Sequence, residues 1–174
     1  MVQGKVEGES YGEEYRGTTL SLWSIAFANG ERIPEVYTFM GEGLSPPLAW
    51  SDPPEGTKSF AMIVDDLDEP LTGMNVWVLF NMPAHLRELP SSLCHRSRFG
   101  EGIIQGVNDH GRFGYGAPCP TTGPPHRYRF HLYALDTYLD MEATASREQV
   151  LDALEGHILA KGQLVGACGN WDVS

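Results

Sequence analysis

The chain has 174 residues and a formal net charge of −11, with 41% hydrophobic and 20% charged residues. That balance fits one globular domain with its own core and excludes a disordered chain. An acidic surface repels phosphate backbones and anionic lipid headgroups at long range. It argues against nucleic-acid binding and electrostatic membrane docking, while leaving room for a small anion held by local donors.

Residues 1–17, MVQGKVEGESYGEEYRG, are polar and aperiodic. They read as a flexible tail rather than a secretory signal, ahead of one domain over residues 18–174. TTLSLWSIAF (18–27) alternates as a strand does, and Asn29-Gly30 supplies a turn. SPPLAWSDPPEG (45–56) is dense in proline and reads as loop or sheet edge, not as a central strand. SFAMIVDD (59–66) is an unbroken apolar run ending in two acids, as expected of a buried strand delivering carboxylates at its end. NVWVLFNMP (75–83) predicts a second buried strand, stopped by Pro83, and AHLRELPSSL (84–93) a short helical turn. Residues 100–125 form a long Gly/Pro-rich segment of the kind usually kept for function.

RYRFHLYALD (127–136) returns to period two, with Tyr128, Phe130, Leu132 and Ala134 on one face and Arg127, Arg129, His131 and Tyr133 on the other. Residues 146–162 predict the one clear helix. Ser146 and Gln149 form its capping box, Val150, Leu151, Leu154, Ile158 and Leu159 its apolar stripe, and Gly162 its stop, with a last strand over 163–169. Strands interrupted by loops, with a late helix, favour a mainly β antiparallel sandwich with peripheral helices over a doubly wound sheet.

No apolar run approaches the ~18 residues that span a bilayer. Cys94, Cys119 and Cys168 are odd in number and far apart, which suggests neither a disulfide framework nor a zinc cage and fits a reducing cytoplasm.

Three segments carry candidate chemistry. Asp66 and Asp68 follow the buried strand two residues apart, so an extended chain places both on one side to orient a ligand or share a proton; Asp caps in a solvated turn are the plainer account. Pro124 and Pro125 fix the approach to His126, with Tyr128 on the same face and Arg127 on the other, positioned to pair with Asp66 or Asp68. The glycines of Gly114-Tyr115-Gly116-Ala117-Pro118 allow backbone amides to converge on an anion, or simply a tight turn. No nucleophile elbow, zinc-protease helix, phosphate loop or dinucleotide fingerprint is present, so catalysis, cofactor and metal are not expected.

Taken in order, NGERIP, GEGLSPPLAW, GTKSFAMIVDDLDEP, VWVLFNMPA, QGVNDHGRFGYGAPCP, GPPHRYRFHLYALD and EGHILAKGQLVGACG resemble the phosphatidylethanolamine-binding protein family, in its bacterial and archaeal Raf-kinase-inhibitor-like branch. The resemblance runs from about residue 20 to residue 169. Its specific blocks are Asp66-Leu67-Asp68-Glu69-Pro70 and Gly123 to Arg127. It implies a β-sandwich with a small end pocket for phosphate, a phosphoethanolamine headgroup or acetate. Asp66, His126 and Tyr128, with Asp68 beside them, would line that pocket, backbone from Gly116 through Ala117 and Pro118 to Pro120 would rim it, and Asp68 with Arg127, and Pro70, would brace it. It also implies a regulatory binder of small anions or, alternatively, a module inhibiting a kinase or protease through its loops, with a homodimer as a plausible assembly. Asp66 or Asp68 with His126 and an activated water leave a hydrolase as a third option. Three positions depart from the pattern: Leu67 stands for a proline, Ala117 for a rim glycine, and Val76 for a histidine that donates to the ligand. Asn75, one residue away, should point to the opposite face.

Overall fold

The computed structural model describes residues 17–69, 74–118, 123–169 and Trp171. The tail through residue 16, the brace at Pro70, and Cys119 and Pro120 lie outside the described residues. In chain order the strands are β1 (Thr18–Thr19), β2 (Leu22–Trp23), β3 (Leu48–Trp50), β4 (Ser59–Asp66), β5 (Met74–Pro83), β6 (Glu88–Leu89), β7 (Arg98–Phe99), β8 (Ile103–Gln105), β9 (His126–Leu135) and β10 (Ile158–Cys168). Among the described residues there is one α-helix, α1 (Arg147–Leu154), and a 3-10 turn at Glu35–Tyr37. A seven-stranded sheet has the order β1-β10-β9-β4-β5-β8-β7, and a three-stranded sheet the order β2-β3-β6.

The large sheet is covered on both faces. On the inner face Phe60, Met62, Trp77 and Phe130 pack with Leu22, Leu48, Trp50 and Leu89 of the small sheet. On the outer face Ala61, Ile63, Val78 and Phe80 pack with Val150 and Leu154 of α1 and with Leu139. Every residue of β4 is therefore buried, which is why it reads as a continuous apolar run instead of alternating. β9 does alternate: Tyr128, Phe130 and Leu132 are buried, while Arg127 is exposed and Arg129 and His131 are half-buried. The architecture is the expected mainly β sandwich, with β1 joining β10 in parallel.

Four segments differ from the sequence expectation. TTLSLWSIAF is not one strand, because β1 joins the large sheet and β2 the small one. The crossing is fixed by Leu20 N donating to Lys161 O (2.7 Å) and Ser51 N to Ser21 O (3.0 Å). β3 is the middle strand of the small sheet, not an edge; Pro46, Pro47, Pro53 and Pro54 all lie outside it, so its own amides remain free to pair. Residues 84–87 form a plain turn ahead of β6, with Leu86 N on Pro83 O.

The helix starts as expected, with Ser146 Oγ accepting from Gln149 N and the Gln149 side chain returning to the Ser146 backbone. It ends eight residues early. Gly156 takes φ +80°, which breaks the helix, and Ile158 and Leu159 open β10, whose ladder with β9 passes through Gly162. Pairing with β9 outweighs the helical spacing of those two apolar residues.

Candidate functional site

β4 and β9 run antiparallel with Asp66 opposite Tyr128, so the end of β4 and the start of β9 meet at one end of the large sheet. There Asp66 Oδ2 lies 2.7 Å from His126 Nδ1, with Asp66 only 5% exposed and the His126 side chain 17%. A carboxylate can only accept, so Nδ1–H donates, and Nε2 is the nitrogen left for a ligand. The two residues come together from sixty positions apart in the chain.

Asp68 sits differently. Asp66 Oδ1 accepts from Asp68 N (2.9 Å), a local turn that swings the Asp68 carboxylate toward Arg127. Asp68 Oδ2 accepts from Arg127 N (2.7 Å) and Nε (3.1 Å), and Oδ1 from Nη2 (2.8 Å). That fork is the main reason the Asp68 carboxyl is held below its ordinary range. Of the two acids expected to line the pocket, Asp66 engages the imidazole, and Asp68 clamps Arg127 and with it the start of β9.

Val76 is buried in the inner core. The β4–β5 register slips here, Val64 facing Trp77 but Asp65 facing Asn75, so Val76 is the extra residue of a bulge. Its carbonyl accepts from Gly116 N (2.7 Å), while Gly114 N donates to Gly106 O (3.4 Å). These two amides are thus spent within the protein, which corrects the expectation that they converge on an anion. Gly116 sits in close quarters instead: a Cβ there would lie 2.9 Å from the ring of exposed His110 and 3.0 Å from Asn108 Nδ2, so those side chains would have to give way. Ala117 packs against the inner core. The Pro118 carbonyl accepts from Phe39 N (3.0 Å) and Cys168 Sγ (3.8 Å), and Cys168 faces His126 across the β9–β10 ladder.

Tyr128 is buried in the same core. Tyr115, read from the sequence only as part of a turn, stacks edge-on against Trp77 (5.4 Å) and donates from its hydroxyl to Tyr37 O (2.6 Å); burial pushes its phenol well above the ordinary value.

Glu69 is the residue the sequence reading missed. One ligand-capable atom each from Asp66, Glu69 and His126 lie within 4.8 Å of one another. Its sequence signal is a third acid directly after Asp68, one that strand alternation places on the opposite side from Asp66 and Asp68.

Asp65 faces the other way. It receives a two-pronged bond from Arg147 (Nε to Oδ1 2.9 Å, Nη2 to Oδ2 2.7 Å) and one from Asn75 Nδ2 (3.1 Å). The Asp65 bond is also the main reason the Arg147 guanidinium is held above its usual pKa. A cleft of about 390 Å³ opens beside it, lined by both Asp65 and Asp66 together with Asn75, Arg129, Arg147 and Glu148. Among the described residues, buried Asn75 Oδ1 and Arg129 Nε find no hydrogen-bond partner.

A β-sandwich carrying a polar Asp–His pair at the end of its central strands defines the class. The family profile described as phosphatidylethanolamine-binding protein matches residues 23–169. A UPF0098 protein of Methanothermobacter thermautotrophicus is 46% identical over 147 residues, covering 84% of this chain and 97% of its own. Another from Aquifex aeolicus is 43% identical, covering 86% and 88%. Among solved structures, the phosphatidylethanolamine-binding protein homologue CT736 of Chlamydia trachomatis superposes with a TM-score of 0.79 at 35% identity, and E. coli YbcL with 0.81 at 32%; both comparisons cover 88% of this chain and 99% of the other. The chain belongs to the phosphatidylethanolamine-binding protein family. Among the described residues, no helix is long and apolar enough to cross a membrane.

Proposed function

We propose that the chain is a binding module whose pocket at Asp66 and His126 takes a small phosphate-like anion, and that it holds this ligand rather than transforming it. The observation that carries the reading is the 2.7 Å contact between Asp66 Oδ2 and His126 Nδ1. It fixes the imidazole and leaves Nε2 to donate to an anion when the ring is protonated. Family membership supports the location. An Asp–His pair with no adjacent nucleophile motif suits recognition better than turnover. Val76 supplies no second imidazole, and one missing charge-assisted hydrogen bond lowers anion affinity by about 1.5–3 kcal/mol, roughly tenfold or more.

Calorimetry with inorganic phosphate and with phosphoethanolamine tests this. His126→Ala should weaken binding at least tenfold, and Val76→His should strengthen it by about the same factor. Tighter binding of phosphoethanolamine would favour a headgroup over free phosphate. No binding of either at millimolar concentration would remove the anion reading.

A second reading, contact with a protein target, is favoured by Phe39 and Met40, which are 66% and 76% exposed. Phe39 N bonds Pro118 O, so this apolar pair adjoins the pocket rim. A target captured by wild type and His126→Ala but lost on Phe39→Ser would support it. A reducing cytoplasm is the location that suits the exposed thiol of Cys94, which pairs with no cysteine among the described residues.

A further inference from the structure

We propose that Asp66, Glu69 and His126 hold one divalent transition-metal ion of the zinc type, leaving one coordination position open to the pocket. Zinc binds carboxylate oxygen and imidazole nitrogen at about 2.0–2.2 Å, so ligand atoms around one ion sit roughly 3–3.5 Å apart. Here the three candidate atoms are already gathered within 4.8 Å. A zinc ion would replace the proton between His126 Nδ1 and Asp66 Oδ2 (2.7 Å), releasing it to solvent and leaving Nε2 with the ring's hydrogen. The rest of the closure falls on the long side chain of half-buried Glu69, on the turn after β4.

The donor chemistry narrows the ion. Two carboxylates with one imidazole suit zinc and its first-row neighbours. Calcium wants six to eight oxygens, and magnesium keeps most of its water. Three protein ligands with a vacant fourth position is the arrangement of sites that bind an exogenous ligand, rather than of closed structural sites.

Charge points the same way. The nearby guanidinium of Arg127 is committed to Asp68, and among the described residues no lysine or arginine pairs with Asp66 or Glu69. Two carboxylates therefore converge on a single imidazole in a protein of net charge −11. A divalent cation neutralises that pair. The supporting layer is also built, since Asp68 N holds Asp66 Oδ1, and the Asp68–Arg127 fork fixes the strand that carries His126.

The proposal rests on the pocket being a ligand site and deepens that reading. A bound metal would give an arriving anion the positive anchor that Val76 does not, and it explains how an anion could approach past Asp66 and Glu69.

The test uses the full chain stripped with chelator and titrated with zinc chloride in the calorimeter, then with cobalt(II) to read coordination from its visible absorption. One zinc per chain at micromolar affinity is expected, with little response to calcium. Glu69→Ala and Glu69→Gln should each weaken zinc binding about tenfold or more, as should His126→Ala. His85→Ala, which removes the exposed His85–Glu101 pair, should change nothing. Absence of zinc uptake by folded wild type overturns the proposal. So does uptake that survives both Glu69 variants or is lost with His85→Ala.

Repeating the phosphate titration with and without zinc separates the two readings. Phosphate binding that requires zinc supports both. Phosphate binding without any zinc uptake sinks the metal and keeps the anion site. Zinc uptake without phosphate binding does the reverse.

Discussion

Asp65 and Asp66 are neighbours in the sequence with opposite fates. Asp65 faces the outer layer, where Arg147 and Asn75 satisfy its oxygens. Asp66 faces His126, and among the described residues it accepts from that imidazole and from the Asp68 amide. Both come from the same buried strand, and strand alternation alone separates them. The lesson is that a carboxylate closed by a guanidinium fork is a structural fastener. The one beside a half-buried histidine is where the proposed ligand site is built.

The largest expected effect is acid lability that originates on the Asp65 side. His131, stacked on Tyr133 at 4.4 Å with their polar atoms 3.0 Å apart, has its pKa pushed down to about 4, chiefly by burial, with Arg129, Lys161 and Arg147 adding and Asp65 opposing. The unfolded chain takes up this proton below about pH 6.5, whereas the native fold does so only near pH 4. Stability is therefore fully present above pH 6.5 and falls across that window, by about 3 kcal/mol in total. Urea melts from pH 7 to pH 4 should show the decline, and His131→Gln should flatten it. An equally steep decline in the variant would remove His131 as the cause.

Next comes Arg147→Ala, which leaves Asp65 largely buried without its guanidinium and should cost about 2–3 kcal/mol in denaturant melts. Phosphate and zinc affinities should stay within twofold of wild type. A variant that lost ligand binding while keeping its stability would break the contrast between the two aspartates. The smallest effect belongs to Arg127→Ala. Arg127 is well exposed, so the loss should stay under about 1 kcal/mol, present at neutral pH and vanishing as acid protonates Asp68. A larger loss would make Asp68 a structural fastener on the scale of Asp65.

Much of this arrangement was legible because local and tertiary signals agree. β4, β5 and β9 announce themselves through apolar runs and alternation. Ser146 with Gln149 marks a helix start, and the Pro124-Pro125-His126 block marks where β9 begins. What could not be read depends on distant partners. Two residues of β1 and two of β2 give no periodicity with which to tell one sheet from the other. Ile158 and Leu159 continue a helical stripe on paper and become strand only because β9 lies beside them. The amides of Gly114 and Gly116 look available until Gly106 O and Val76 O are found to occupy them. Glu69 gains meaning only from His126, far along the chain.

Both ends of the large sheet's strand order are two-residue strands, Thr18–Thr19 and Arg98–Phe99, while the long apolar strands lie inside it. Lengthy unpaired strand edges template growth from molecule to molecule, and natural proteins suppress this with short or charged borders. Here Arg98 also reaches Glu142, placing an ion pair on that border. Crowded copies of this chain thus find little to extend, and its acidic surface adds mutual repulsion. Resistance to fibril formation at high concentration follows from where the sheet stops.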